Sequence, residues 1–214
     1  MLVLDHVKLS LGGFSLTADF SINPAARVAV MGASGAGKSS LLLAIAGFIA
    51  PESGNVLWNG QDLTARDPAQ RPVSMLFQDQ NLFPQLTLLQ NVVLGLTAGR
   101  RASAAHLAQA EAALAKVGLA GYGGRRPAEV SGGQMGRAAL ARVLLQARPI
   151  LLLDEPFAAL DSDLRHQMLD LVVQMAAQTS ATVLMVTHDN HDAVRFASHV
   201  MTVDQGVAQP PRSI

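Results

Sequence analysis

Eight consecutive residues, Gly32-Ala33-Ser34-Gly35-Ala36-Gly37-Lys38-Ser39, have types and spacing suited to holding a phosphate. The pattern is glycine, four residues, glycine, lysine, serine. Small residues let successive backbone N–H groups curl around an anion. A helix opening behind them turns its unsatisfied N–H groups toward the same point. Lys38 adds a full positive charge for the outer phosphates, and the Ser39 hydroxyl is a ligand for Mg²⁺. The apolar run at residues 28–31 reads as a buried strand, and residues 41–49 read as a helix. The plain alternative is a glycine-rich turn entering an ordinary helix. The full spacing between strand and helix favours the phosphate site.

Two carboxylates end a second apolar run, ILLLDEP at residues 150–156. A buried strand that delivers Asp154 beside a phosphate loop supplies a second anchor for Mg²⁺. Glu155, one residue on, is placed to polarise an attacking water as a general base. A solvated acidic turn would be the reading if the phosphate loop were absent. A third stretch, VSGGQ at residues 130–134, puts a glycine pair at a helix start with Ser131 as N-cap. That makes either a second anion site or simple capping by Ser131 and Gln134, and the residues alone leave both open.

These groups need elements to hold them. Residues 2–11 alternate apolar and polar residues imperfectly and read as an edge-type strand, Gly12-Gly13 as a turn and residues 14–22 as a second strand, broken by Asn23-Pro24. Residues 51–54 read as a turn and residues 55–58 as a strand, and Asn59-Gly60 is a tight-turn signal. Residues 73–77 form the next buried strand. From Leu86 to Ala147 the chain turns rich in Ala, Leu, Gln and Gly at helical spacing. Thr87 with Gln90, and Ser131 with Gln134, look like capping boxes. Residues 103–117 suit an amphipathic helix, and the stretch reads as a helical insertion. Strands return at residues 150–153, 182–186 and 199–203, separated by helices at 163–178 and 190–197. That alternation implies a parallel sheet with right-handed crossovers. Ligands bind at the carboxyl edge of such sheets, where Gly32, Gln78, Asp154 and His188 would emerge.

Composition bounds the partners. The chain has 214 residues, half of them apolar and 15% charged, with zero formal charge and no cysteine. Bulk charge therefore suggests neither nucleic-acid binding nor adhesion to anionic lipid. Disulfides and thiol catalysis are excluded. Asp5, His6 and Lys8 spoil a signal-peptide core near the start. The longest apolar runs fall short of a membrane span, so a membrane role has to come through a partner and not by direct lipid insertion.

Taken together, GASGAGKS, Gln78, VSGGQ, ILLLDEP, Ala159-Leu160-Asp161 and Val186-Thr187-His188-Asp189 resemble the ATP-binding cassette ATPases of ABC transporters. The elements occur in the family's order from about residue 2 to residue 208. The resemblance implies an α/β fold: a P-loop NTPase with a RecA-like mixed sheet core, an antiparallel β subdomain and an inserted α-helical subdomain. It implies one domain over residues 1–214, with its core at about 1–85 and 148–214 and the helical subdomain at about 86–147. It further implies ATP and Mg²⁺ as cofactors and a head-to-tail homodimer sandwiching two ATP. Lys38 and the backbone of Gly32, Ser34, Gly35, Ala36, Gly37, Ser39 and Ser40 would hold the phosphates. Ser39 and Gln78 would ligate Mg²⁺, and Asp154 would reach it through water. Glu155 would be the base and His188 would contact the γ-phosphate. Ser131, Gly133 and Gln134 would act across the dimer, and Asp161 would link the two sites. Where the family stacks an aromatic residue on adenine, Phe14 is the candidate, with a core strand role as its alternative. Met135-Gly136 stand where the family prefers a basic pair, and Gly136 costs that helix about 1 kcal/mol relative to alanine.

The stretch from Arg71 to Phe83, RPVSMLFQDQNLF, is similar to the same region of thiamine importer ATPases. It includes Gln80 and follows into the segment where the family docks its permease, which Leu82, Phe83 and Leu86 would help line. Those relatives are short, and this chain ends soon after the last strand. The implied function is ATP hydrolysis energising uptake of thiamine or its phosphates, with a membrane permease and a periplasmic solute-binding protein as partners. The implied location is the cytoplasmic face of a bacterial inner membrane. The alternatives are another small-solute or ion importer (iron, sulfate, polyamine) and a soluble cassette ATPase without a permease.

Overall fold

The computed structural model describes residues 1–79, 81–97 and 101–214, so Gln80 lies outside the described residues. They group into two compact units. The first comprises Met1–Met75, Arg148–Glu155 and Leu169–Ile214; the second comprises Leu76–Ala147 and Pro156–Met168.

The first unit is built on a sheet. Its early strands are β1 (Leu2–Leu11), β2 (Phe14–Ile22), β4 (Ser53–Trp58) and the short β5 (Gln61–Asp62), all antiparallel. β1 pairs with β2 on one side and β4 on the other, which corrects the edge-strand expectation. Its imperfect alternation comes from a bulge. The register shifts at Asp5 to Val7, and His6 has φ +49°. The expected turn at residues 51–54 is also corrected. Ser53 and Gly54 already belong to β4, and Gly54 at φ +81° packs against the His6 carbonyl at that bulge. Asn59 and Gly60 make the expected turn, both at positive φ.

The parallel strands follow. β3 (Arg27–Met31) lies between β8 (Thr182–Val186) and β9 (His199–Asp204), with β7 (Ile150–Asp154) beyond β8. β6 (Val73–Leu76) comes last in the order β5-β4-β1-β2-β10-β9-β3-β8-β7-β6, where β10 is Val207–Ala208. Three short strands, β5 among them, escaped the sequence reading, because two residues carry no periodicity. β10 (Val207–Ala208) runs parallel to β2 and antiparallel to β9, and so joins the two halves of the sheet; β11 (Arg212–Ser213) pairs with β9.

Helix α1 spans Lys38–Ala46, three residues earlier at each end than the apolar run suggested. Left-handed glycines bound it at both ends, Gly37 at φ 103° and Gly47 at φ 90°. Lys38 and Ser39 therefore sit in its first turn. Leu41, Leu42 and Ile45 are wholly buried, which contributes roughly 1.5–3 kcal/mol each. α1 is apolar all round because it packs onto β7 and β8 inside the core. α5 (Ser162–Thr179) precedes β8, and α6 (Asn190–Phe196) precedes β9.

The second unit contains α2 (Leu88–Thr97), α3 (Ala104–Lys116) and α4 (Gly132–Leu145), packed on one another. Thr87 and Gln90 form the expected cap, exchanging side-chain to backbone bonds at 3.2 and 2.9 Å, while Ser103, read as the first residue of the helix, is instead the cap of α3. The sequence reading passed over Asn91, which is fully buried on α2. Its Oδ1 accepts from the Phe83 N–H at 2.8 Å, and its Nδ2 donates to the carbonyls of Phe83 and Thr87 at 3.0 Å. One side chain thus fixes the turn that presents Phe83. Asn91→Leu, close in shape, strands those backbone groups and costs about 2 kcal/mol. Amide exchange over residues 83–97 then accelerates roughly thirty-fold. Unchanged exchange would show that Asn91 does not hold the turn.

Candidate functional site

The parallel strands decide which side chains meet. β3 is flanked by strands that follow it in sequence on opposite sides, so the loop leaving it lies at a switch point of the sheet. That loop begins at Gly32, where a Cβ would overlap the Val203 carbonyl of β9, so no side chain fits. Ser34 and Gly35 are exposed, while Ala36 and Gly37 are half-buried. The Ala36 N–H donates to the Ala33 carbonyl at 3.2 Å and closes the turn. At Gly37 a Cβ would lie 2.6 Å from Leu16 Cδ1 and 2.7 Å from Phe14 Cζ. The half-buried Phe14 therefore packs both on the core and against the mouth of the loop.

Lys38 is buried, and its ammonium donates to the carbonyls of Gly32 and Ala33 at 2.9 and 2.8 Å. These bonds draw the cation over the loop and use two of its three donors. Gly37 has no side chain to cap α1. The first-turn N–H groups of Lys38, Ser39 and Ser40 are thus left for an anion.

Asp154 ends β7 and Val186 stands beside it on β8. The Asp154 carboxylate is buried and hydrogen-bonded to Ser39. Burial pushes its pKa up; the Ser39 bond opposes this, Glu155 adds to it and Lys38 counters it. Its Oδ1 is buried with no hydrogen-bond partner. An orphaned carboxylate oxygen beside a serine hydroxyl suits a hard divalent cation and its water.

Glu155 follows at φ +45°, with its N–H donating to the Val186 carbonyl at 3.3 Å. Glu155 Oε2 lies 3.8 Å from His188 Nδ1; their side chains are 26% and 67% exposed. The carboxylate is thus mostly enclosed, and the imidazole reaches outward. Thr187, to which the sequence reading gave no role, fixes that reach. Its N–H donates to the Val30 carbonyl at 3.3 Å, and its hydroxyl accepts the Asp189 N–H at 3.1 Å. Asp189 in turn caps α6 by accepting the His191 N–H at 2.8 Å. A threonine between a buried strand and a capping aspartate was the signal available in the sequence.

The first unit therefore gathers Phe14, the loop from Gly32 to Ser40, Asp154, Glu155 and His188. Gln78, Ser131, Gly133, Gln134 and Asp161 belong to the second unit. Gln78 is exposed, two residues past β6. Ser131 and Gln134 form a complete capping box at 2.9 and 3.3 Å. Gly133 packs close to Leu160, whose Cδ2 would lie 3.0 Å from an added Cβ. Asp161 accepts the Leu164 N–H at 2.9 Å at the start of α5.

Residues 16–158 match the family model described as ABC transporter. The chain is 55% identical over 212 residues to the thiamine import ATP-binding protein ThiQ of Cereibacter sphaeroides, covering 99% of this chain and 92% of that one. It is 53% identical over 211 residues to the protein of the same name from Ruegeria sp., covering 99% and 91%. Against that of Yersinia pseudotuberculosis it is 49% identical over 206 residues, covering 96% and 87%. Among solved structures, it is similar to a dimeric ATP-binding cassette in a post-hydrolysis state bound to ADP and Pi, with TM-score 0.87 and 28% identity. That match covers 100% of this chain and 98% of the other. A dimeric bacterial ABC transporter cassette matches at TM-score 0.88 and 28% identity over the same shares. The first unit thus carries a glycine-rich loop at the switch point, a buried aspartate on its serine and a glutamate beside a histidine, and the chain belongs to the ABC transporter family as an ATP-binding subunit.

Proposed function

We propose that this ATPase energises uptake of thiamine or its phosphates through a membrane permease. The observation that carries the substrate is identity of about one half, along nearly the whole chain, to proteins named for thiamine import. Among the described residues no helix is long and apolar enough to cross a membrane. The chain would work at the cytoplasmic face of a bacterial inner membrane, held by the permease, with a periplasmic solute-binding protein delivering the solute. The segment around Phe83, held by Asn91 and half-exposed, is the docking candidate with Leu82 and Leu86.

In this reading Lys38 and the N–H groups of the loop and first turn hold the outer phosphates of ATP. Ser39, Asp154 and, as the family resemblance implies, Gln78 would hold Mg²⁺, which when bound would supply charge neutralisation at those phosphates. Glu155 takes a proton from the water that attacks the γ-phosphorus, as the bond to ADP breaks and phosphate forms. His188, oriented by its neighbours Thr187 and Glu155, donates to the γ-phosphate. Phe14 offers its ring to adenine from beside Gly37. A second copy supplies Ser131, Gly133 and Gln134 to the same nucleotide, with Asp161 at the junction between sites. ATP then closes the pair and hydrolysis opens it, which drives alternating access in the permease.

The substrate is tested by uptake of labelled thiamine in cells lacking the chromosomal copy. The wild-type chain restores uptake and Glu155→Gln does not, while iron, sulfate and polyamine uptake stay unchanged. Thiamine uptake that needs no copy would assign the chain to another solute. In purified protein, Glu155→Gln keeps ATP affinity and loses roughly 10²–10⁴-fold in turnover. It also accumulates as an ATP-bound dimer by light scattering; normal turnover would remove Glu155 as the base. Ser131→Arg and Lys38→Ala are each inactive alone, and mixing them restores hydrolysis through the one intact shared site. No recovery on mixing would argue against nucleotides held between copies.

A further inference from the structure

Arg71 is the largest fully buried side chain among the described residues, only 1% exposed. Its guanidinium joins two segments of the first unit. Nη1 donates to the carbonyls of Ala44 and Ile45 at 2.9 Å. Nε donates to the Arg66 carbonyl at 3.1 Å, and Nη2 to the Thr64 carbonyl at 2.9 Å. Ala44 and Ile45 lie in the last turn of α1, where the Ala44 carbonyl also accepts the Gly47 N–H at 3.1 Å and Arg71 supplies a further donor. A cation there also suits the negative end of the helix. The backbone after the helix is shaped to the guanidinium, for a Cβ at Gly47 would lie 2.5 Å from Nε and 2.7 Å from Cζ.

The other end of the clamp is anchored as well. The Thr64 hydroxyl accepts the Val56 N–H at 2.9 Å, and the Leu63 N–H donates to the Val56 carbonyl at 2.8 Å. Contacts therefore run from β4 through residues 63–66 and Arg71 to the carboxyl end of α1. Lys38 and Ser39 sit at its other end. An apolar side chain of similar volume would be buried with far less desolvation cost. What the guanidinium adds is a rigid fork of donors, which one ammonium does not reproduce.

We propose that Arg71 is a positioning residue for ATP hydrolysis, clamping the far end of α1 so that Lys38 and Ser39 meet the phosphates at a fixed depth. The proposal rests on the reading of Lys38 and Ser39 as the phosphate and magnesium residues. A helix of this length is a stiff rod, so a shift at its carboxyl end is carried to its amino end. A displacement of about 1 Å at a reacting group costs on the order of 100-fold in rate.

The test is steady-state ATP hydrolysis per folded molecule, at a temperature where circular dichroism shows each variant fully folded. Arg71→Met and Arg71→Lys both lose about ten-fold or more in kcat, with KM for ATP moved by less than about three-fold. Gly47→Ala, which pushes a methyl into the guanidinium without removing it, shows the same split. Arg71→Lys keeps charge and length and decides the matter alone if Arg71→Met does not fold. A lowered melting temperature with wild-type kcat in Arg71→Lys overturns the proposal and leaves Arg71 as a stabilising group only. Lys38→Ala runs alongside. If it hydrolyses ATP normally, the site reading fails; if it is inactive while the Arg71 variants run at full rate, only the positioning proposal fails.

Discussion

One register between parallel strands governs the chemistry of this molecule. Val186 of β8 stands beside Val30 of β3 on one side and Asp154 of β7 on the other. Because those three residues are level, the chain leaves all three strands at the same height. The phosphate loop, the Asp154-Glu155 pair and Thr187-His188 therefore converge. A slip of one residue would turn every side chain of a strand to the opposite face and take Asp154 away from Ser39. The apolar strands β3, β7 and β8, buried on both faces, are what make such a slip costly.

Buried polar groups carry the second constraint. Arg71, Asn91 and Asp154 are each enclosed, and each serves a different end. Arg71 and Asn91 satisfy backbone carbonyls and N–H groups at helix ends and turns, where no ladder reaches. Asp154 is held by Ser39 but keeps one buried oxygen without a partner. A fully satisfied group rigidifies its surroundings, whereas a partly satisfied one is costly unless a ligand completes it. The contrast separates the two groups that brace the backbone from the one whose surroundings suit a cation.

Local capping carries a double meaning in the second unit. Ser131 and Gln134 form a reciprocal box, and Asp161 caps α5. Within one chain those contacts explain both residue choices completely. An exposed helix start with two glycines nevertheless leaves N–H groups facing outward for an anion. In the proposed function the same residues hold the helix and reach a nucleotide on another copy, because capping uses the serine side chain and leaves the following backbone free.

Much of the architecture was legible in residue order. Imperfect alternation marked β1, glycine spacing marked the loop, and apolar runs of four or five marked β3, β7 and β8. Each signal is local, because propensity, turn chemistry and capping act within a few residues. Where the local signal was ambiguous, the tertiary structure decided. β1 read as an edge strand because its bulge broke the alternation, and its two partners show otherwise. α1 begins at Lys38 because a left-handed Gly37 starts it, although the apolar run begins later. Arg71 and Asn91 read as ordinary polar residues, since nothing near them in sequence reports that they are buried. The chain alone determined which chemical groups are present and that they leave strand ends. Their mutual distances, such as Glu155 to His188, came from strand order and register, which depend on contacts between residues far apart in the chain.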